Sequence, residues 1–109
     1  NSYTRSLEIV FDWRGVTYKE LGEKINIDAK TIGRIVNGET KGSINSIVLI
    51  CLGLNLPPLI SGHIIKNCPH SLNMSDMNHQ WYNFALTYKY TKSIKEIRAF
   101  LLQQGAELL

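Results

Sequence analysis

The residues whose type and spacing best suit binding chemistry are two cations in a segment of small residues. Lys30 and Arg34 lie four positions apart in AKTIGRIVNG, so a helix would present both on one face. Both side chains donate hydrogen bonds and attract anions, and Lys41 follows shortly after them. The alternative is that these cations only solvate the outer face of a helix. The surrounding segment decides between the two interpretations.

Other reactive side chains form no pattern that is typical of an enzyme. The plausible metal ligands are His63, Cys68, His70 and His79. Their spacing matches no common zinc motif. Asp12, Glu20 and Glu23 are scattered as capping and solvated charges, and the sequence contains no HExxH motif, glycine-rich phosphate loop or serine elbow. We therefore expect no enzyme activity, no metal and no cofactor.

The composition indicates an ordinary globular chain with a mildly basic balance. The 109 residues are 44% hydrophobic and 19% charged, which fits one domain, or a small domain with an appendage, able to bury a core. The formal net charge is +3. This charge permits a polyanionic partner without requiring one, because affinity for nucleic acid depends on cations that face the phosphates.

Cysteine usage and apolar runs bear on the cellular compartment. Cys51 lies in the apolar run SIVLICLGL and is expected to be a buried, inert thiol, so a disulfide framework is not predicted. This favours a reducing cytoplasm. No apolar run reaches the roughly 18 residues of a membrane span, because Asn55 and the Pro57-Pro58 pair interrupt the longest one. Residue 1 is Asn, which favours a fragment whose amino-terminal domain is missing.

The segment from Thr17 to Gly38 contains two short amphipathic helix patterns joined by a turn. Thr17 and Glu20 have the spacing of a capping box, and Leu21 and Ile25 form the inward side of the first helix. Asn26 suits the left-handed conformation that a sharp turn requires. The pattern therefore predicts a helix that begins at Thr17 and ends near Asn26.

The second helix of this segment separates buried from exposed positions clearly. Asp28 is its expected N-cap, and Asn37-Gly38 is typical of its end. The predicted buried side consists of Ile32, Ile35 and Val36. The predicted outer side consists of Ala29, Lys30, Thr31, Gly33 and Arg34. We interpret the pair as a helix-turn-helix, whose second helix enters the major groove of DNA with its first residues leading.

The remaining chain also reads as helical, so the predicted class is all-α. A first helix covers residues 4–14, a nearly all-apolar central helix covers 43–56, and Pro58 opens a fifth helix. We predict a domain at 4–66, a linker at 67–75 and a two-helix hairpin at 76–109. The apolar side of the first hairpin helix is predicted to contain Met77, Trp81, Phe84, Ala85 and Tyr88. The second is expected to begin with a capping box of Ser93 and Glu96.

Residues 7 to 61 resemble the five-helix DNA-binding domain of the phage repressor and Cro family, often called the XRE family. The similar segments are TYKELGEKINI, DAKTIGRIVNGET and SINSIVLICLGLNLPPLIS. The resemblance implies base contacts by Ala29, Lys30, Thr31 and Arg34. It implies phosphate contacts by Thr17, Tyr18, Asn37, Thr40, Lys41 and Ser43. The segment WYNFALTYKYTKSIKEIRAFL is similar to tails of Firmicute-type bacterial regulators, some with a zinc-peptidase-like region ahead of the helix-turn-helix.

Two functions follow as expectations. The first is sequence-specific binding of double-stranded DNA by a transcriptional regulator that acts as a homodimer, because one recognition helix buries little surface. The second is a protein-interaction or oligomerisation module on the same scaffold, with little or no DNA binding. Trp81, Tyr82, Phe84, Tyr88 and Tyr90 crowd one region, and such rings serve as interface anchors or as core.

Overall fold

The computed structural model describes residues 3–107, and the regular structure within this range is entirely helical. Its seven helices are α1 Tyr3–Arg14, α2 Tyr18–Ile25, α3 Ala29–Val36, α4 Ile44–Gly53, α5 Pro58–Asn67, α6 Met77–Tyr88 and α7 Ile94–Gln103. No strand occurs between residues 3 and 107. The predicted all-α class is confirmed. Residues 108 and 109 of the predicted hairpin lie outside the described range.

Helix α4 is the central element of the core, as its composition predicted. Every residue from 47 to 53 is buried, and the helix packs against α2, α5 and α6. A Cβ atom at Gly53 would lie 2.5 Å from Leu21 Cδ1 and 2.7 Å from Ile25 Cγ2, so α2 and α4 pack in close contact. All seven helices contribute buried residues to one hydrophobic cluster. The first five helices and the last two therefore share a core.

Three of the helices begin with reciprocal capping boxes. Thr17 caps α2, Ser43 caps α4 and Ser93 caps α7. Each of these hydroxyl groups accepts a hydrogen bond from the backbone amide three residues later. In return, the Glu20 and Glu96 carboxylates accept hydrogen bonds from the amides of Thr17 and Ser93. Both predicted capping boxes are confirmed, and these caps fix where the helices start.

The predicted N-cap of α3 is confirmed in position but not in its hydrogen bond. Asp28 precedes the helix, but its side chain makes no capping hydrogen bond. Its backbone, with φ −59° and ψ 137°, departs from the extended conformation that Thr17 and Ser43 adopt at their caps. The first amides of α3 are therefore not satisfied by the Asp28 carboxylate.

The predicted apolar side of α6 is also wrong in part. The buried residues are Tyr82, Ala85 and Leu86, whereas Met77 is 64% exposed and Tyr88 is 68% exposed. Because apolar residues cover more than half of the surface of this helix, a 3.6-residue period fits more than one face. The buried face contains Tyr82, whose hydroxyl donates to the Glu107 carbonyl oxygen at 3.1 Å. The hydroxyl of the buried Tyr82 is therefore hydrogen-bonded.

Candidate nucleic-acid interface

The turn between α2 and α3 brings the two helices together closely. Asn26 adopts the predicted left-handed conformation, with φ 59° and ψ 44°, and its amide donates to the Gly22 carbonyl. A Cβ atom at Gly22 would collide with the Ile27 carbonyl oxygen and would lie 3.5 Å from the Ala29 nitrogen. Glycine is therefore required for the start of α3 to approach α2 this closely.

One side of α3 is anchored in the core. Ile32 and Ile35 are fully buried, Val36 is 1% exposed, and the helix packs against α1 and α2. The predicted buried side is confirmed. Eight residues of helix with three buried branched side chains have little freedom to rotate or slide. The orientation of the opposite side is consequently fixed by the fold.

The opposite side of α3 presents the predicted candidate residues to solvent. Lys30, Thr31 and Arg34 are exposed, while Ala29 and Gly33 are half-buried. Lys30 and Arg34 lie one helical turn apart, with small residues beside them. This face can donate hydrogen bonds from two long cationic side chains while its small residues permit close approach of a ligand surface.

Tyr18 packs against the side of this face. Its half-buried ring contacts Phe11 edge-on, with the ring centroids 4.9 Å apart. A Cβ atom at Gly33 would lie 3.4 Å from Tyr18 Cδ2, so the ring lies against the backbone of α3. Tyr18, a predicted phosphate contact, thus also links α1, α2 and α3.

The loop that follows α3 carries four further candidate residues, all exposed. They are Asn37, Thr40, Lys41 and Ser43. The amides of Glu39 and Thr40 donate to the Arg34 carbonyl oxygen at 2.8 and 3.3 Å, which folds the loop back onto α3. The loop is therefore an extension of the exposed face of α3.

Several candidate hydroxyl groups already make local hydrogen bonds. The Thr17 hydroxyl accepts the Glu20 amide at 3.1 Å, and the Thr40 hydroxyl accepts the Gly42 amide at 3.4 Å. The Ser43 hydroxyl accepts the Ser46 amide at 3.1 Å. An accepting hydroxyl retains its own hydrogen, so Thr17 and Thr40 can still donate to an anion. The local bonds hold these oxygen atoms in place.

The electrostatics of the interface depend on individual side chains. Five cationic and four anionic residues lie between positions 17 and 43, so the region has little net charge. Hydrogen bonds from Thr17 lower the pKa of the Glu20 carboxyl. Any attraction for an anion must therefore come from the placement of Lys30, Arg34 and Lys41.

His70 is a contact of this interface that sequence reasoning missed. Its Nε2 atom lies 3.1 Å from the Lys41 carbonyl oxygen and 3.0 Å from the Gly42 carbonyl oxygen. In the sequence this histidine was considered only as a metal ligand. No local pattern could reveal the contact, because it joins residues that lie 28 and 29 positions apart.

The structure provides no metal site or membrane span within residues 3–107. In this range no three His, Cys, Asp or Glu side chains form a group that could hold a metal ion. None of the described helices has the length and hydropathy needed to cross a bilayer. No family model, curated protein or solved structure matches the chain. A proposal for its function therefore depends on the geometry of the interface itself.

Proposed function

We propose that α2 and α3 form a helix-turn-helix that binds double-stranded DNA in a sequence-specific way. The observation that carries this proposal is the two-sided arrangement of α3. Its branched aliphatic residues are buried in the core, and Lys30, Thr31 and Arg34 are exposed on the other side. A rigidly held short helix with a small, cationic outer face suits the major groove, which admits an α-helix.

Base contacts are assigned to the exposed face of α3. Lys30 and Arg34 are suited to the O6 and N7 acceptors of guanine, which lysine and arginine bind in the major groove. Thr31 and Ala29 are suited to contact with a thymine methyl group. The half-buried Ala29 and Gly33 favour this assignment, because a larger side chain there would hold the helix away from the base edges.

Phosphate contacts are assigned to the residues at the ends of the two helices. They are Thr17, Tyr18, Asn37, Thr40, Lys41 and Ser43. Lys41 would supply charge, and the hydroxyl groups would supply oriented donors. Such contacts fix the register of a protein on the duplex without reading its sequence. The amides at the start of α3, which lack a cap from Asp28, are further donors of this kind.

The proposed architecture is that of a repressor-like domain with an appended hairpin. Helices α1 to α5, residues 4–66, would form the five-helix domain of the phage repressor and Cro type. The linker at 67–75 and the hairpin from residue 76 would follow it. In this arrangement the protein is a cytoplasmic bacterial regulator of transcription and acts as a dimer. Two copies would read half-sites about 34–36 Å apart, one turn of the duplex.

Selection of duplexes from a random pool tests the DNA-binding proposal. We expect enrichment of a motif with guanine at one or more positions, and loss of affinity when Lys30→Ala and Arg34→Ala are combined. Each good base contact contributes about 1–3 kcal/mol. The matched control combines Lys66→Ala and Lys95→Ala, which removes two exposed charges from α5 and α7. Failure to enrich any motif, or equal losses in the two double variants, would contradict the proposal.

A second candidate function is self-association through an exposed aromatic face. Its exposed members are Met77, Phe84 and Tyr88 of α6, and the half-buried ring of Phe100 in α7 lies beside them. The rings of Phe84 and Phe100 stack with centroids 5.6 Å apart, and Phe84 contacts Tyr88 at 4.9 Å. Helix α6 contains no Asp, Glu, Lys or Arg. One cation borders the face, since Lys89 Nζ lies 4.9 Å from the centroid of the Phe100 ring. A face of aromatic rings with few charges suits the centre of a protein interface.

Sedimentation of the chain over a range of concentrations tests this second function. The chain should dimerise, and combined Phe84→Ser and Tyr88→Ser should shift it to monomer. The control combines Ile9→Ser and Leu59→Ser, two residues exposed on α1 and α5. A dimer that selects no DNA motif would favour the interaction module over the DNA-binding protein. A monomer at every concentration would exclude pairing through this face.

A further inference from the structure

The loop between α3 and α4 is held by a segment from much later in the chain. This loop comprises residues 37–43. The imidazole Nε2 of His70 lies within hydrogen-bond distance of the carbonyl oxygens of Lys41 and Gly42. Carbonyl oxygens only accept hydrogen bonds, so the chemistry of the partners assigns the hydrogen to Nε2. His70 is therefore a donor to two consecutive peptide groups of the loop.

His70 is itself held by the residues around it. The Cys68 amide donates to the carbonyl oxygen of Ile64 in α5 at 3.0 Å, so the start of the segment is attached to the end of α5. The Cys68 thiol then contacts the His70 carbonyl oxygen at 3.1 Å. On the other side, the Asn73 amide donates to His79 Nδ1 of α6 at 2.8 Å. The segment that carries His70 is thus attached to helices at both ends.

The backbone that His70 contacts leaves little room for other arrangements. Gly42 has φ +66°, and a Cβ atom there would lie 3.0 Å from Ile35 Cδ1 and 2.8 Å from Ser46 Oγ. Only glycine combines this conformation with so close an approach. Within the loop, the Gly42 amide makes only a long 3.4 Å bond to the Thr40 hydroxyl. The two short hydrogen bonds from His70 therefore also hold the peptide groups of Lys41 and Gly42 in place.

We propose that His70 is a positioning residue for DNA binding. By holding the peptide groups of Lys41 and Gly42, it would orient the Lys41 side chain and the neighbouring hydroxyl groups towards the phosphates. The segment between α5 and α6 then acts in DNA binding without touching DNA. This inference rests on the proposed function, because it assigns His70 a role in the same interface.

Affinity measurements on His70 variants test the inference. We expect His70→Ala to weaken binding of the selected duplex and of a scrambled duplex by a similar factor, about 3- to 10-fold, because phosphate contacts carry no sequence information. The slope of the logarithm of affinity against the logarithm of salt concentration should decrease by about 1, as for a lost lysine contact. His70→Gln, whose amide can donate from a similar position, should restore most of the affinity. His63→Ala removes an exposed histidine from α5 and serves as the control.

A double-mutant cycle separates positioning from general stabilisation. If His70 acts through Lys41, the combination of His70→Ala with Lys41→Ala should bind about as weakly as Lys41→Ala alone. Fully additive losses, or an unchanged salt slope in His70→Ala, would overturn the inference. If Lys30→Ala with Arg34→Ala abolishes selective binding while His70→Ala binds normally, the inference fails and the proposed function stands. If the unaltered chain selects no duplex, both fail.

Discussion

The two helical hairpins of this protein are built alike and present opposite surfaces. In α2–α3 and in α6–α7, one helix begins with a capping box, formed by Thr17 and Glu20 or by Ser93 and Glu96. Each hairpin buries branched aliphatic side chains in the same hydrophobic cluster. On the outside, however, α3 presents Lys30 and the α6–α7 hairpin presents aromatic rings.

The two hairpins thus differ in their outer faces and not in how they are capped and buried. Capping and burial explain why both hairpins fold. The same caps and buried residues would stabilise a protein that binds no partner. The cations and small residues of α3 suit a polyanionic groove, because they combine charge with close approach. The rings of α6 suit a protein surface, because charged residues are depleted at the centre of such interfaces. Each hairpin therefore predicts a different partner.

The first prediction concerns the shared core and has the largest expected effect. Leu21→Ala in α2 and Ile97→Ala in α7 each truncate a buried side chain that is at most 1% exposed, and so leave a cavity in the core. Each should lower the free energy of unfolding by about 2–5 kcal/mol. Because the two sites belong to one cluster, denaturant unfolding followed by circular dichroism should show a single transition in both variants.

Leu102→Ala provides the control for this first prediction, because Leu102 is 64% exposed. It should change the free energy of unfolding by no more than about 0.5 kcal/mol. If Ile97→Ala unfolded in two transitions, one of them at the same denaturant concentration as in the unaltered chain, the hairpins would unfold independently. That result would favour a domain boundary at the predicted linker.

The α2–α3 hairpin could be predicted from its sequence because its signals agree. The capping box, the left-handed Asn26 and the spacing of Ile32 and Ile35 all indicate the same two helices and the same buried side. Each of these features acts over four residues or fewer, so a local pattern contains it completely. The exposed positions of Lys30 and Arg34 then followed by exclusion.

The α6 face and the His70 contact could not be predicted in the same way. The apolar residues of α6 cover more than half of its surface, so the choice of buried face depended on its packing against α4 and α5. His70 reaches the loop after α3 only because the chain between α5 and α6 returns to it. Both features are consequences of tertiary packing, which a single sequence does not encode in local periodicity. Asp28 takes the predicted N-cap position, but its side chain makes no capping hydrogen bond.

The second prediction uses the capping boxes to separate folding from binding. Thr17→Ala and Ser93→Ala each remove a side chain that accepts the amide at the third helical position. Each should lower the free energy of unfolding by about 1 kcal/mol. Only Thr17→Ala should also weaken DNA binding, because Thr17 is assigned a phosphate contact and Ser93 lies on the other hairpin.

Thr17→Ser should restore both properties, since the serine hydroxyl can cap α2 and can donate to a phosphate. Thermal unfolding and duplex titration in the same buffer provide the two measurements. Equal losses of DNA affinity in Thr17→Ala and Ser93→Ala would show that the effect comes from stability alone. The contrast between the two hairpins would then disappear.

The third prediction is the smallest and concerns pH. Hydrogen bonds from Thr17 and from Ser93 hold the pKa values of the Glu20 and Glu96 carboxyls below 4.5. A pKa that is lower in the folded chain contributes stability above the unfolded pKa, and this contribution is lost as the pH falls through the folded value. Both boxes should therefore weaken on acidification from about pH 6 to about pH 3.

Glu20→Gln and Glu96→Gln keep an acceptor for the cap amide but have no carboxyl to protonate. Denaturant unfolding at several pH values should show a shallower acid-side decline in each variant than in the unaltered chain. Glu23→Gln, which removes an exposed charge from α2 outside the capping box, is the control. Because Glu20 and Glu96 are both exposed and bonded alike, the two hairpins should respond equally. An unequal response would mean that their shared local structure does not give them the same stability.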